Sequence, residues 1–297
     1  MNFIESCGIC DGRLDSVLAV HTIPDRFEAY LGISAENYSR CWRVCVSCGS
    51  ASNIMDPANA ARLAQLADGY YEVDFANSNV GEKFATVMAL PESKSDNALR
   101  VKRVTERLDV WRQALGRPRS IATVLDVGAG TGVFLAKLLQ SEMGTIVGWK
   151  ATAIEPDSVA AAHLIGLGRF EVIQGIFDET LEVRGYDLIT MNKVLEHLPR
   201  PGELLSSVAQ ALNPSGGIVY VEVPDVQTIG RRPPSDNILG SLHHHLYSAR
   251  GLATLIEDAG LHLLDFGRTV EPSGKITIFG FACTDVTFDN YAGNGVS

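Results

Sequence analysis

Nine residues, Val124-Leu125-Asp126-Val127-Gly128-Ala129-Gly130-Thr131-Gly132, set three glycines at alternate positions behind an acid. An apolar run leads into them, and Val133, Phe134, Leu135, Leu138 and Leu139 follow at helical spacing. That order predicts a strand, a tight loop and a helix. Glycine opens backbone conformations closed to other residues and lets a ligand touch the main chain. The first N–H groups of the helix lack partners within it and point at whatever sits on the loop. The chemistry on offer is backbone capture of a nucleotide-type ligand at the carboxyl end of a first strand.

The spacing narrows the ligand. A dinucleotide fingerprint reads G-x-G-x-x-G, with its third glycine packing helix on strand. Here the run is G-x-G-x-G, and Val133 takes the third-glycine position. Asp126 also sits inside the turn, where it would repel a pyrophosphate but suit a cation. S-adenosylmethionine (SAM) carries an ammonium and a sulfonium and no phosphate. A strand predicted over 149–154 ends in Glu155-Pro156-Asp157, and a carboxylate at Glu155 can accept both ribose hydroxyls. Gly128, Gly130 and Gly132 by backbone contact, Asp126 near the methionine ammonium, and Asn192 at the methionine end complete this set.

These residues resemble the class I SAM-dependent methyltransferases, and the chain extends the likeness. A fourth strand, Tyr186 to Met191, leads into Val194-Leu195-Glu196-His197-Leu198-Pro199, similar to the VLEH-x-P segment of one branch of that family. His243-His244-His245-Leu246-Tyr247-Ser248 resembles the same branch's lid segment, and the likeness runs from about Ser120 to Thr284. The resemblance implies a Rossmann-like α/β fold: a seven-stranded sheet with helices on both faces and an antiparallel last strand, here Lys275 to Cys283 after Leu261 to Arg268. It also implies an acid at the adenine amine, for which Asp178 is the nearest residue; the usual Gly-Asp reads Gly175-Ile176 here.

Methyl transfer needs acceptor, methyl carbon and sulfur in line. A hydroxyl acceptor must also lose its proton, a task for a base such as histidine. His197 follows the fourth strand, where an open parallel sheet has its reaction crevice; it is a base or an acceptor-orienting group, and its neighbour Glu196 is the alternative. The internal His243–His245 run reads as a lid loop with His244 or His245 reaching the acceptor. Gly230 to Pro234 fits a cover that closes over substrate. Ser248 caps the next helix and Gly260 ends it. Glu222, Asp225 and Asp236 are further candidates for binding hydroxyls.

Cys7-Gly8-Ile9-Cys10 and Cys45-Val46-Ser47-Cys48 form two C-x2-C pairs. Four thiolates from two such turns make a closed structural zinc site that serves the fold and not catalysis. The whole is similar to methyltransferases with an N-terminal zinc-binding region, several of which act on sugars. Cys41 reads as a packed thiol, with ligand exchange as the other option, and Cys283 as core. The expected division is a zinc-ribbon-like module over 1–56, a helical connector over 57–119 and the SAM-binding domain over 120–297. Within the connector, Tyr70 to Phe75 reads as part of an active-site wall. Val101, Val104, Leu108, Trp111 and Leu115 give a helix packed on the sheet, with Arg100, Lys102, Arg103, Arg107 and Arg112 as its solvated outer face.

The 297 residues carry 25 Lys and Arg against 35 Asp and Glu. Residues 1–118 hold 13 against 15, and residues 119–297 hold 12 against 20. So acidic a catalytic half disfavours nucleic acid. Met1 to Ile4 runs at once into Glu5 and cysteines, without a signal-peptide pattern, and no apolar run has membrane length. The expectation is a cytoplasmic enzyme, O-methylating a sugar, nucleotide-sugar or glycan intermediate. Two alternatives are an RNA methyltransferase guided by the zinc module and a non-catalytic SAM-binding or assembly module.

Overall fold

The computed structural model describes residues 6–67, 70, 73, 79–114, 122–178, 180–181, 183–285 and 287–289. The first strands are β1 (Leu14–His21), β2 (Arg40–Cys45) and β3 (Ala51–Ile54); β4 (Thr123–Val127), β5 (Lys150–Glu155), β6 (Glu171–Gln174), β7 (Leu188–Asn192) and β8 (Ile218–Pro224) follow. β9 (His245–Leu246), β10 (His262–Val270) and β11 (Ile276–Cys283) complete the set.

Strands with both faces covered read as near-continuous apolar runs. Val124, Leu125, Val127, Leu188, Ile189, Met191, Ile218, Val219 and Val221 are all buried. They lie in a seven-stranded sheet of order β10-β11-β8-β7-β4-β5-β6. β6, β5, β4, β7 and β8 pair in parallel, while β11 runs antiparallel to both β8 and β10, as expected. Alternate residues pack the two faces. Leu125, Val127, Ile189 and Val221 meet the helices Pro201–Ala211 and Ala249–Asp258; Val124, Leu188 and Ile218 meet Asp96–Ala114 and Val133–Gln140. The chain reverses sides between β4 and β7, so ligand binding is expected where those strands end.

The helix Asp96–Ala114 corrects one expectation, that of a solvated arginine face. Arg100 is buried and clamps Glu222 with two bonds, Nε to Oε2 at 2.9 Å and Nη2 to Oε1 at 2.5 Å. Arg103 reaches Tyr220 Oη (2.6 Å), Glu222 Oε2 (3.1 Å) and Glu271 Oε1 (3.3 Å). The cause is beneath the helix: β8 and the turn after β10 present buried acids that need cations. Lys102 does face solvent, beside Glu106. Leu115 and the Arg112 side chain lie outside the described residues.

A second, antiparallel sheet has the order β1-β2-β3-β9. Its first three strands come from the cysteine-bearing segment and its fourth from the His-rich run near residue 245. Cys7, Ile9, Leu14, Cys45, Cys48 and Ile54 belong to the same buried cluster as one face of the large sheet. The N-terminal segment therefore shares a core with the rest of the chain.

Candidate cofactor and acceptor site

Gly128 and Gly132 both hold left-handed backbone, at φ 68° and 78°. A Cβ on Gly128 would meet Val194 Cγ2 at 2.7 Å, and one on Gly132 would meet Leu164 Cδ2 at 2.5 Å. Only glycine serves at either position. The loop is tied down where Gly128 N–H and Ala129 N–H donate to Ile154 O at 2.8 and 3.1 Å. Between them in sequence, Gly130 N–H donates to Glu155 Oε2 at 2.7 Å, and Asp157 N–H donates to Glu155 Oε1 at 3.0 Å. Burial pushes the Glu155 carboxyl up to about 7 despite these two donors.

Asp126 lies at the switch point. Its Oδ1 accepts Thr190 Oγ1–H at 2.6 Å and Asn192 Nδ2–H at 3.0 Å, both from β7. Burial raises this carboxyl to about 6, against the pull of those two bonds. Asn192 Oδ1 is buried without a hydrogen-bond partner, so an acceptor here awaits a donor such as an ammonium. The three glycines, Asp126, Glu155 and Asn192 are thus brought together. Asp178 is not: it is exposed and accepts Thr180 N–H (2.8 Å) and Thr180 Oγ1–H (2.5 Å), which hold its carboxyl below the usual range.

The two cysteine turns repeat one bonding pattern. Cys7 N–H donates to Gly12 O and Asp11 N–H to Cys7 O; Cys45 N–H donates to Ser50 O and Gly49 N–H to Cys45 O. The fifth residue of each turn is left-handed, Asp11 at φ 54° and Gly49 at φ 75°. Cys7 Sγ lies 3.9 Å from Cys48 Sγ, Cys10 Sγ lies 3.6 Å from Cys45 Sγ, and all four lie within 4.8 Å. Tetrahedral bonds of about 2.3 Å would set sulfurs about 3.8 Å apart, so the group fits a zinc ion. Cys41 lies outside this group.

The Val194–Pro199 turn and the His-rich run are stitched together. His244 N–H donates to Glu196 O at 2.6 Å, Tyr247 Oη–H to Leu195 O at 3.0 Å and His197 Nδ1–H to Leu242 O at 3.2 Å. A carbonyl can only accept, so His197 carries its proton on Nδ1 and its lone pair on Nε2. His243 is set the same way, donating Nδ1–H to Ile238 O at 2.7 Å. The two rings meet edge to face, 4.6 Å between centroids. Burial brings His197 down to about 4 and holds His243 well below its ordinary range.

Beside these rings opens a cavity lined by Arg26, Phe27, Tyr70, His197, Asn237, Gly240, Leu242 and His243. Phe27 and Tyr70 stack at 5.4 Å, and Tyr70 meets His197 edge-on. Neither His244 nor His245 lines it. His245 is pinned in the second sheet, donating Nε2–H to Pro199 O at 3.1 Å, with Ser52 Oγ 3.4 Å from its Nδ1. Glu196 is 1 % exposed, and burial raises its carboxyl to about 7. Of the Tyr70–Phe75 wall, Tyr70 lines the cavity, while residues 71, 72, 74 and 75 lie outside the described residues.

Three further expectations change. Glu222 is taken by Arg100, Arg103 and Tyr220, Asp225 by Arg268, and Asp236 by Arg232. These acids are committed to ion pairs with arginines, and none of them lines the cavity. Sequence reasoning missed Arg26, Phe27 and His243 as cavity residues. One signal marked the first two: Asp25-x-x-Glu28 is a capping box, and both of its bonds are present. Ser248 caps its helix as expected, accepting Gly251 N–H at 2.8 Å.

A family model described as "Methyltransferase domain" matches residues 100–265. Among curated proteins, the ubiquinone biosynthesis O-methyltransferase of Salmonella arizonae is 33% identical over 100 residues, covering 33% of this chain and 40% of that protein. The chain therefore matches less than half the length of that relative. Among solved structures, the 1,6-didemethyltoxoflavin-N1-methyltransferase of Burkholderia thailandensis, with bound 1,6-didemethyltoxoflavin and S-adenosylhomocysteine, is similar in fold. Its TM-score is 0.50 at 21% identity, covering 83% of this chain and 96% of that one. Among the described residues no helix is long and apolar enough to cross a membrane.

Proposed function

The chain belongs to the class I SAM-dependent methyltransferases, and we propose that it methylates a hydroxyl of a small polar acceptor, a sugar or glycan intermediate, whose reacting hydroxyl reaches into the Phe27–Tyr70–His197–His243 cavity. The observation that carries this is the cavity's position. It opens on the turn that leaves β7, five residues past Asn192, so one short segment joins the cofactor side to the acceptor side. SAM supplies the methyl group when bound. The residues to hold it are the Gly128–Gly132 loop, Glu155, Asp126 and Asn192; Asp178 keeps the adenine end only as an expectation of the resemblance.

His197 Nε2 is the nitrogen to orient the acceptor hydroxyl and take its proton. It is neutral at working pH, and its ring is fixed by the Leu242 carbonyl. Arg26 and Asn237 are placed to meet acceptor oxygens. The stacked Phe27–Tyr70 pair favours a second acceptor, a flat phenolic ring, and the Salmonella relative is named as an O-methyltransferase. The cysteine group holds a structural zinc that fixes the module over residues 1–56 against the lid. None of the six cysteines is in a disulfide, which suits the cytoplasm. Arg100 and Arg103 are spent on buried acids, which removes part of the basic face that RNA would need.

The test is transfer of labelled methyl from SAM to fractionated extract, with and without nuclease. We expect label in a nuclease-resistant fraction of carbohydrates or phenols. His197→Ala should lower turnover roughly 10²- to 10⁴-fold and leave SAM affinity unchanged. Nuclease-sensitive label, or none with any fraction, overturns the proposal.

A further inference from the structure

We infer that Glu196, His197 and His243 form a second metal centre, separate from the four cysteines, that takes a divalent first-row cation into the acceptor cavity. One ligand atom from each of the three lies within 4.8 Å of the others. Glu196 is 1 % exposed, yet its Oε2 has no hydrogen-bond partner. A buried carboxyl oxygen without a donor is costly, and among the described residues no ion pair within 4 Å relieves it: Lys193 and Lys275 favour its charged form only from farther off. A cation would.

The histidines are prepared in the manner of metal ligands. Such a ring donates its other N–H to a carbonyl or carboxylate, which fixes tautomer and orientation. His197 and His243 both do so, through Nδ1–H to Leu242 O (3.2 Å) and to Ile238 O (2.7 Å). Both carbonyls belong to the 238–242 segment, so one stretch of chain orients both rings and leaves the lone pair of each on Nε2, free to coordinate. Two imidazoles and one carboxylate suit transition ions and leave coordination positions open. Both histidines line the cavity, so the open positions face an acceptor.

The inference rests on the cavity being the acceptor's seat. It changes the part of His197 from taking the hydroxyl proton to holding an ion that acidifies the hydroxyl and releases its proton to water.

The full chain should be dialysed against a zinc-buffered solution and its zinc counted per chain. We expect about two equivalents in the wild type and about one in Glu196→Gln and His243→Ala. His244→Ala, which alters a histidine outside the cavity, should keep two. Calorimetric SAM binding verifies that each variant is folded, and His243→Gln replaces the alanine variant if that one is not. One equivalent in the wild type overturns the inference, as does a second equivalent that survives both variants. The acceptor proposal fails separately. Methyl transfer by protein holding only the cysteine-bound zinc removes the second ion and leaves the acceptor; two zincs without transfer to any fraction do the reverse.

Discussion

The proposed cofactor side and the proposed acceptor side meet within a few residues of the end of β7, yet they are assembled differently. The cofactor side is local: loop and acids come from β4, β5 and β7, three neighbouring strands of one sheet, joined by bonds such as Gly130 N–H to Glu155 and Asn192 to Asp126. The acceptor cavity gathers residue 26 with residue 243 and relies on β9 pairing with β3, across nearly two hundred positions. A loop made from neighbours survives disturbance elsewhere. A cavity between distant segments lasts only while each of them is anchored.

Loss of the proposed zinc is the severest way to break that comparison. The Cys45–Ser50 turn holds the end of the His-rich run directly, because Ser248 N–H donates to Ser50 Oγ at 3.0 Å and Ser248 Oγ–H to Cys48 O at 2.5 Å. Structural zinc contributes roughly 10 kcal/mol or more to small modules. Cys45→Ala should therefore abolish methyl transfer while SAM affinity, measured by calorimetry, stays within about threefold. Equal loss of both would show that the two sides do not separate. Arg100→Met comes next. It leaves Glu222 without its bidentate partner, and Lys193, left-handed at φ 64° where the acceptor-side turn begins, reaches that same Glu222 at 3.6 Å. Losing one partner of a buried pair costs roughly 3–5 kcal/mol, visible as a lower urea midpoint. An unchanged midpoint would mean that Arg103 and Lys193 already suffice.

The same contrast explains what the sequence made legible. The glycine loop and the cysteine turns could be read because chemistry and geometry come from contiguous residues; G-x-G-x-G and C-x2-C each describe one turn. The strands followed from apolar runs that both faces of a covered sheet require. The cavity could not be read in this way. Nothing in the spacing of Phe27, His197 and His243 says that they meet, and of three adjacent histidines only His243 lines the cavity. His245, the more conspicuous beside Tyr247 and Ser248, became a pin to Pro199. The arginines of the helix Asp96–Ala114 misled because a charged stripe on a helix normally faces water. Only the tertiary placement of Glu222 and Glu271 beneath that stripe reverses the expectation.

The subtlest effect tests whether the cofactor side is as self-contained as its local build implies. Burial raises Glu155 to about 7 and Asp126 to about 6 in the folded chain. A carboxyl raised above its unfolded value stabilises the fold at low pH, and that contribution is lost as pH climbs through the raised value. Binding reverses the preference, since ribose hydroxyls and an ammonium favour the charged carboxylates. SAM binding should then release protons and tighten by roughly tenfold, about 1.4 kcal/mol, from about pH 5.5 to 7.5. Glu155→Gln should bind about tenfold more weakly at pH 8 and lose most of that pH dependence. Calorimetry in buffers of differing ionisation heat counts the protons directly. A flat wild-type profile would mean that the bond from Gly130 N–H already keeps Glu155 charged, so that the loop is set before any ligand arrives.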